Sequence, residues 1–489
     1  MASTTVAINP GHGLGPFHLG ASLHECLTIL TADKDQYSKI GLYFDRPDPL
    51  RTPTVVDLPN NGFRLRFDGA DQRLRLIEVQ DFRKMRVSYK GGELLKPLET
   101  GEGPTFKRIY QIFGAAYPGE YIPPRKKETT GTYVLSWAGV AFTFLLQHSA
   151  WAADKDHVSM LGSSAASPAT RMAIFEGSSW PEARQDLFAR DPSGPRSSAL
   201  AWRAKDHLPQ EVESAIIRGD GTVHLLRRVP APPFTITLNE TTPQDLVTEL
   251  GPPDTTHKRD PESSLGEEPT QSRAESAARP VANGRSGRGS QPSSYSSTGT
   301  DTFDVDFDSG DAEEDPAERA SREIFWCYYS HGMDILVGPP SPHVAANEQH
   351  TTPLSASPHL VVIKVIIHGN VPGSYAFNRH RRLRWQISLP NTEYAGELGS
   401  ESKFDELKPS LLHIFQNVWP ASDMGKGKVV NRTWDANSSD SAFFLPDAGQ
   451  DLIEGGGSEQ WLGNTRLYTF PGLIFEVLEN GAVSALTIY

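Results

Sequence analysis

Four stretches of the chain open on a glycine and then alternate apolar with other side chains. They are Gly62-Phe-Arg-Leu-Arg-Phe, Gly139-Val-Ala-Phe-Thr-Phe, Gly332-Met-Asp-Ile-Leu-Val and Gly472-Leu-Ile-Phe-Glu-Val. Alternation of period two, rich in Phe, Val and Ile, puts one set of side chains on one face of an extended backbone, so each stretch predicts a half-buried strand. Three have a second strand close behind. Asp68-Gly-Ala-Asp-Gln leads into Arg73-Leu-Arg-Leu-Ile-Glu-Val, and Asn480-Gly, a hairpin-turn signal, leads into Ala482-Val-Ser-Ala-Leu-Thr-Ile-Tyr. Leu360 to His368 returns after a longer polar loop. Phe325-Trp-Cys-Tyr-Tyr and Arg171-Met-Ala-Ile-Phe-Glu read as further strands.

A short helix is predicted ahead of each strand pair. Ser22 and Glu25 have the spacing of a capping box, and Leu23, Leu27 and Leu30 then share a helical face. Thr105 starts a second helix that ends at Gly114. Thr242 and Pro243 start a third, stopped by Gly251-Pro-Pro. Lys403-Phe-Asp-Glu-Leu starts a fourth, expected to be cut short at Pro409. The fold class this predicts is α+β, built from repeated units of one helix and an antiparallel strand pair. One such unit cannot bury its own apolar face, so several must associate. The expected order is two units in 1–150, a β-rich middle segment with loops in 151–240, a third unit in 241–253 and 323–390, and a C-terminal unit in 391–489.

The third unit is split because residues 254–322 are dominated by Ser, Glu, Asp, Gly, Pro and Arg. Ordering a residue costs about 1–2 kcal/mol, and so few apolar side chains do not offset it; a disordered insertion is expected. Its acidic end holds Phe303, Val305 and Phe307 among carboxylates, which reads either as a docking motif or as a solvated acidic run. The net charge of −13 disfavours general binding to nucleic acid. Two cysteines, Cys26 and Cys327, make no disulfide framework and fit a reducing cytosol. The first residues lack the pattern of a signal peptide, and no run of about 18 apolar residues occurs, so membrane contact is expected to be peripheral.

Catalytic chemistry is not evident in the sequence, and no enzyme, cofactor or metal is expected. Gly11-His-Gly13-Leu-Gly15 lacks the preceding strand and the Gly-Lys-Ser of a phosphate loop, and reads as a flexible leader. His331, His368 and His380 are scattered and read as strand-end residues. Arg379, His380, Arg381, Arg382 and Arg384 form a basic cluster in an acidic chain, with a smaller one at Arg125-Lys-Lys127. Arginine forks suit phosphates, which makes the larger cluster a candidate site for a phosphoinositide head group; pairing with surface carboxylates is the other reading.

Six stretches resemble the phagosome assembly factor 1 family. They are Leu19-Gly-Ala-Ser-Leu, Phe67 to Val79, Phe113 to Tyr121, Tyr328 to Leu336, His368 to Asn378, and Pro471 to Val477, in the family's order and spread from end to end. The resemblance weakens across 151–210 and is lost in 254–322. It implies a non-catalytic scaffold in autophagy, partnered by a WD40 β-propeller protein of the breast-carcinoma-amplified sequence 3 type. Recruitment from the cytoplasm to the phagophore assembly site is implied too, with Golgi-to-plasma-membrane transport as the alternative role.

Overall fold

The computed structural model describes residues 5–95, 102–125, 128–188, 211–227, 232–258, 322–340, 359–389, 398–418, 425–431 and 464–489. The four predicted glycines all sit at turns that start an inner strand, with φ of 75°, 77°, 78° and 73° for Gly62, Gly139, Gly332 and Gly472. The carbonyl of each accepts a backbone N–H from a neighbouring strand: those of Gln80, Phe175, His368 and Tyr489 in turn. Left-handed backbone at these turns penalises any side chain.

The chain from Thr5 to Asp186 forms one half of a compact unit. It starts with β1 (Thr5–Asn9), β2 (Gly13–Leu14), β3 (Phe17–His18) and helix α1 (Leu23–Ala32). A four-strand run follows: β4 (Gly41–Tyr43), β5 (Thr54–Leu58), β6 (Phe63–Phe67) and β7 (Leu74–Val79). Next come β8 (Arg86–Tyr89), β9 (Gly92–Glu93) and α2 (Phe106–Phe113). A second run closes the half with β10 (Glu120–Ile122), β11 (Thr130–Trp137), β12 (Val140–Gln147), α3 (His157–Leu161), β13 (Ala166–Phe175) and α4 (Trp180–Asp186). The two runs join through antiparallel β13 and β7 into an eight-stranded sheet, β10-β11-β12-β13-β7-β6-β5-β4. The remaining strands make a five-stranded sheet, β3-β2-β1-β8-β9, in which β1 and β8 run parallel.

The second half repeats this order. β14 (Val212–Ile217), β15 (Thr222–Arg227), β16 (Phe234–Thr237) and α5 (Pro243–Leu250) precede β17 (Thr255–Lys258), β18 (Ile324–Tyr328), β19 (Met333–Gly338) and β20 (Val361–His368). Then come β21 (Arg384–Ile387), β22 (Leu398–Gly399), α6 (Phe404–Phe415), β23 (Lys428–Asn431), β24 (Asn464–Phe470), β25 (Leu473–Val477) and β26 (Val483–Ile488). Sheet orders β16-β15-β14-β21-β22 and β17-β18-β19-β20-β26-β25-β24-β23 match the first half strand for strand, including the parallel pair, here β14 with β21.

The α+β class of helix-plus-strand-pair units is therefore corrected. Strands hold 40% of the described residues against 16% for helices, in four large sheets. The expected pairs β6–β7, β19–β20 and β25–β26 do form. They are fragments of eight-stranded sheets, because the outer strands of a pair still carry unpaired backbone groups that must bond further neighbours. Sheets run across the expected boundaries at 150, 240 and 390. The glycine-rich start is an ordered turn rather than a flexible leader, because Ile8, Leu14 and Phe17 are buried. Helix α6 passes through Pro409 to Phe415, held by buried Phe404, Leu407 and Leu411. The 254–322 segment begins with a strand, β17, beside β18; residues 259–321 lie outside the described residues.

Each half has its own apolar core. One gathers Leu23, Leu27, Phe63, Leu65, Phe142 and Ile174 among others, the second Leu246, Ile335, Val365, Phe404, Phe475 and Leu486. Ser22, Thr105 and Thr242 cap their helices as predicted, but the reciprocal box expected at Ser22 and Glu25 is seen instead at Thr242 and Asp245. The Ser22 side chain accepts from the Glu25 N–H, Thr105 from the Arg108 N–H, and Thr242 and Asp245 form a full capping box.

The glycine turns yield a graded prediction. A Cβ on Gly332 would lie 2.4 Å from the Arg381 carbonyl, whereas one on Gly472 meets nothing closer than 3.6 Å. Gly472→Ala should cost the backbone strain alone, about 1–2 kcal/mol. Gly332→Ala should cost clearly more, and urea unfolding of the two variants compares them directly.

Candidate functional site

Between the two cores lies a seam of buried polar groups, built by the loop from β6 to β7 and the loop from β20 to β21. Arg73, Arg381 and Arg382 are 1%, 4% and 3% exposed, so their guanidinium groups rely on protein acceptors rather than water. Arg73 Nη2 donates to Glu211 Oε1 at 2.5 Å and lies beside Asp71. Arg381 donates to the same Glu211 carboxylate, to the Val212 carbonyl and, at 3.4 Å, to the His331 carbonyl. One carboxylate thus bridges arginines from the two halves. Burial alone would raise the Glu211 carboxyl; Arg381 and Arg73 hold it below its ordinary value.

Arg382 spans the halves by itself. Its Nε donates to the Ala70 carbonyl at 2.6 Å, Nη1 to the Gly369 carbonyl at 2.9 Å, and Nη2 reaches Ser400 and Glu401. Gln72 and Asn370 exchange amide bonds: Gln72 Nε2 donates to the Asn370 carbonyl at 2.8 Å and Asn370 Nδ2 to Gln72 Oε1 at 2.9 Å. Both residues, with Asn378, have positive φ, an uncommon conformation for side chains of this size. The Asn378 N–H donates to Asn370 Oδ1 at 2.7 Å, and its carbonyl lies 3.0 Å from His24 Nδ1.

A second polar cluster adjoins the seam. Asp334 on β19 has one carboxylate oxygen 2.9 Å from His368 Nε2, at the end of β20, and the other 2.7 Å from His380 Nε2. The two imidazoles stack, with centroids 3.8 Å apart and planes 10° from parallel. Burial would raise the Asp334 carboxyl, but its bonds to the two rings hold it far below the usual range. Burial, reinforced by His368, pushes His380 down to about 4 against the pull of Asp334. Among the described residues, this is the group of His, Cys, Asp and Glu that converges with metal-ligand spacing.

The expected anion-binding cluster is thus distributed by the fold. His380, Arg381 and Arg382 are buried and bonded to the protein's own acceptors. Arg384 is partly exposed and donates to Glu401 Oε1 at 2.6 Å. Arg379 is half-buried, and its backbone N–H donates to the Ala376 carbonyl. Of the smaller cluster, Lys126 and Lys127 lie outside the described residues. Sequence reading missed the partners Glu211, Gln72, Asn370 and Asp334, which are distant in the chain. The one available signal was three basic residues, 380–382, running straight into the apolar alternation of β21.

Four of the six stretches noted in the sequence meet at this seam: 19–23, 67–79, 328–336 and 368–378 contribute Gly20, Arg73, His331 and Asn370 respectively. The model of one family, "Phagosome assembly factor 1", matches residues 13–276 and 308–489. The chain belongs to the phagosome assembly factor 1 family. A PHAF1 protein of Arabidopsis thaliana is 23% identical over all of this chain and 94% of its own length. One of Drosophila melanogaster is 24% identical over 97% of this chain and 90% of its own, and one of Caenorhabditis elegans 27% identical over 26% and 28%. No solved structure matches the chain.

Two predictions concern the seam. Glu211→Ala leaves Arg73 and Arg381 buried without their shared carboxylate, and should lower the unfolding free energy by about 3–5 kcal/mol in denaturant titrations. Burial pushes His331, which faces Arg381, Glu211, Arg227 and the Leu250 carbonyl, down to about 4. The unfolded chain takes up this proton near pH 6.5 and the folded chain only near 4, so stability is full above about 6.5 and falls as pH drops through that window. Urea unfolding from pH 7 to 4.5 should show this fall in wild type and a shallower one in His331→Gln.

Proposed function

We propose that the protein is a non-catalytic scaffold in autophagy, acting with a WD40 β-propeller partner of the breast-carcinoma-amplified sequence 3 type at the phagophore assembly site. The observation that carries this reading is the match to the assembly-factor family along both halves of the chain. One stretch of the surface suits protein contact. Edge strand β10 carries Tyr121, whose ring stacks on Trp151 at 4.7 Å and on His148 at 6.0 Å. Beside it Trp151 is 37% exposed. A stacked aromatic pair on a sheet edge that is unpaired among the described residues is the kind of surface a protein partner covers.

The second reading, phosphoinositide binding in Golgi-to-plasma-membrane transport, draws on the basic cluster. Most of that cluster is buried and engaged internally, so no observation favours it over the first. No helix among the described residues is long and apolar enough to cross a bilayer.

Affinity purification of tagged full-length protein from starved and fed cells tests the proposal. A WD40-propeller protein should co-purify, and Tyr121→Ala/Trp151→Ala should reduce its recovery about tenfold or more, as loss of aromatic interface anchors does. Purification of the wild type without any propeller protein would refute it.

A further inference from the structure

Asp334, His368 and His380 stand on three separate segments, and their donor atoms lie within 4.8 Å of one another. Two imidazoles and a carboxylate are a donor set for divalent transition ions. The backbone does not demand these residues. In the first half the position two residues past the turn glycine is Arg64 where the second half has Asp334. The position that bonds the glycine carbonyl is Gln80 where the second half has His368. The same frame therefore stands without imidazole or carboxylate at these points, and the convergence belongs to the second half alone.

The donors are fixed from behind. The His368 N–H donates to the Gly332 carbonyl at 2.9 Å, and its carbonyl accepts from the Leu383 N–H at 3.0 Å. His380 sits between Arg379, whose N–H is bonded to Ala376, and Arg381, whose N–H is bonded to Tyr329. The Tyr329 ring meets the His380 ring edge-on at 4.8 Å. The backbone that carries the ligands is thus set in advance, and the rings, stacked 3.8 Å apart and 10° from parallel, turn about their side-chain bonds to aim both Nε2 lone pairs at one ion. The side chains of Asp334 and His368 are 16% and 15% exposed, which opens the cluster to solvent on one side.

We propose that Asp334, His368 and His380 bind one divalent transition-metal ion of the zinc class, through the carboxylate and both Nε2 atoms. Without the ion, the carboxylate is bonded to both Nε2 positions. With it, the ion takes the place of the two protons, each neutral imidazole carrying its proton on Nδ1 instead. The ion would tie β19 and β20 to the loop that presents Arg381 and Arg382 to the seam, so it acts on the joint between the halves. This inference is independent of the propeller partner.

Full-length protein stripped with a chelator and titrated with zinc should take up one ion per chain, measured by elemental mass spectrometry after gel filtration. Its melting temperature should rise with the ion. Asp334→Asn and His368→Asn, isosteric or near-isosteric changes, should weaken uptake at least about 10–100-fold, the range that even outer-shell partners command. Copper-loaded wild type should show paramagnetic coupling to two imidazole nitrogens, a readout that needs no variant to fold. Folded wild type without stoichiometric uptake at micromolar zinc would overturn the proposal. So would folded variants that bind as tightly as wild type, or copper bound without nitrogen coupling.

Discussion

Two apolar cores meet across buried guanidinium groups, and the geometry of the molecule depends on satisfying them. A buried arginine must place its donors on fixed acceptors, or its desolvation goes uncompensated. Arg382 does so with carbonyls from both halves, Ala70 on one side and Gly369 on the other. Arg73 and Arg381 do so by converging on Glu211. An apolar interface would tolerate sliding; here directional bonds from Arg73, Arg381 and Arg382 tie specific acceptors of the two halves together. Buried ion pairs add little net stability over apolar packing, whereas removing one partner leaves an uncompensated buried charge.

The two halves share a frame and differ in what their loops carry. Both pair their first strand in parallel with the strand after the first four-strand run, and both return a final strand against that run. In the first half, the link from β7 to β8 is short, residues 80–85. In the second, residues 369–383 separate β20 from β21, and this loop supplies Asn370, Asn378, His380, Arg381 and Arg382. A repeated backbone thus provides two rigid platforms, and one long connection provides the chemistry that joins them. Function-bearing side chains on a loop braced by sheets are a recurring arrangement. Here the brace works inward, between the two halves.

Local sequence determined the turns, caps and individual strands. Glycine at φ near 75°, Thr242 with Pro243 at a helix start, and period-two alternation each act over a few residues, so they are legible without the fold. Alternation also located the paired strands β6–β7, β19–β20 and β25–β26. It said nothing of β1 with β8 or β14 with β21, whose parallel pairing spans long stretches of chain, and so the β-dominated class was missed. Pro409 was read as a stop because its missing N–H is a local fact, while the burial of Leu411 that carries the helix onward is not.

Tertiary structure alone decided what the charged residues do. In sequence, Arg379 to Arg384 is a basic patch in an acidic chain, and an exposed one would attract anions. Burial reverses that meaning, because a desolvated guanidinium is bound to whichever acceptors the fold supplies, and those come from residues 70, 211 and 369. The meeting of Asp334 with His368 and His380 has the same origin: 34 and 46 residues of separation carry no spacing signal, and only the register of β19 on β20 and the path of the following loop bring the three together.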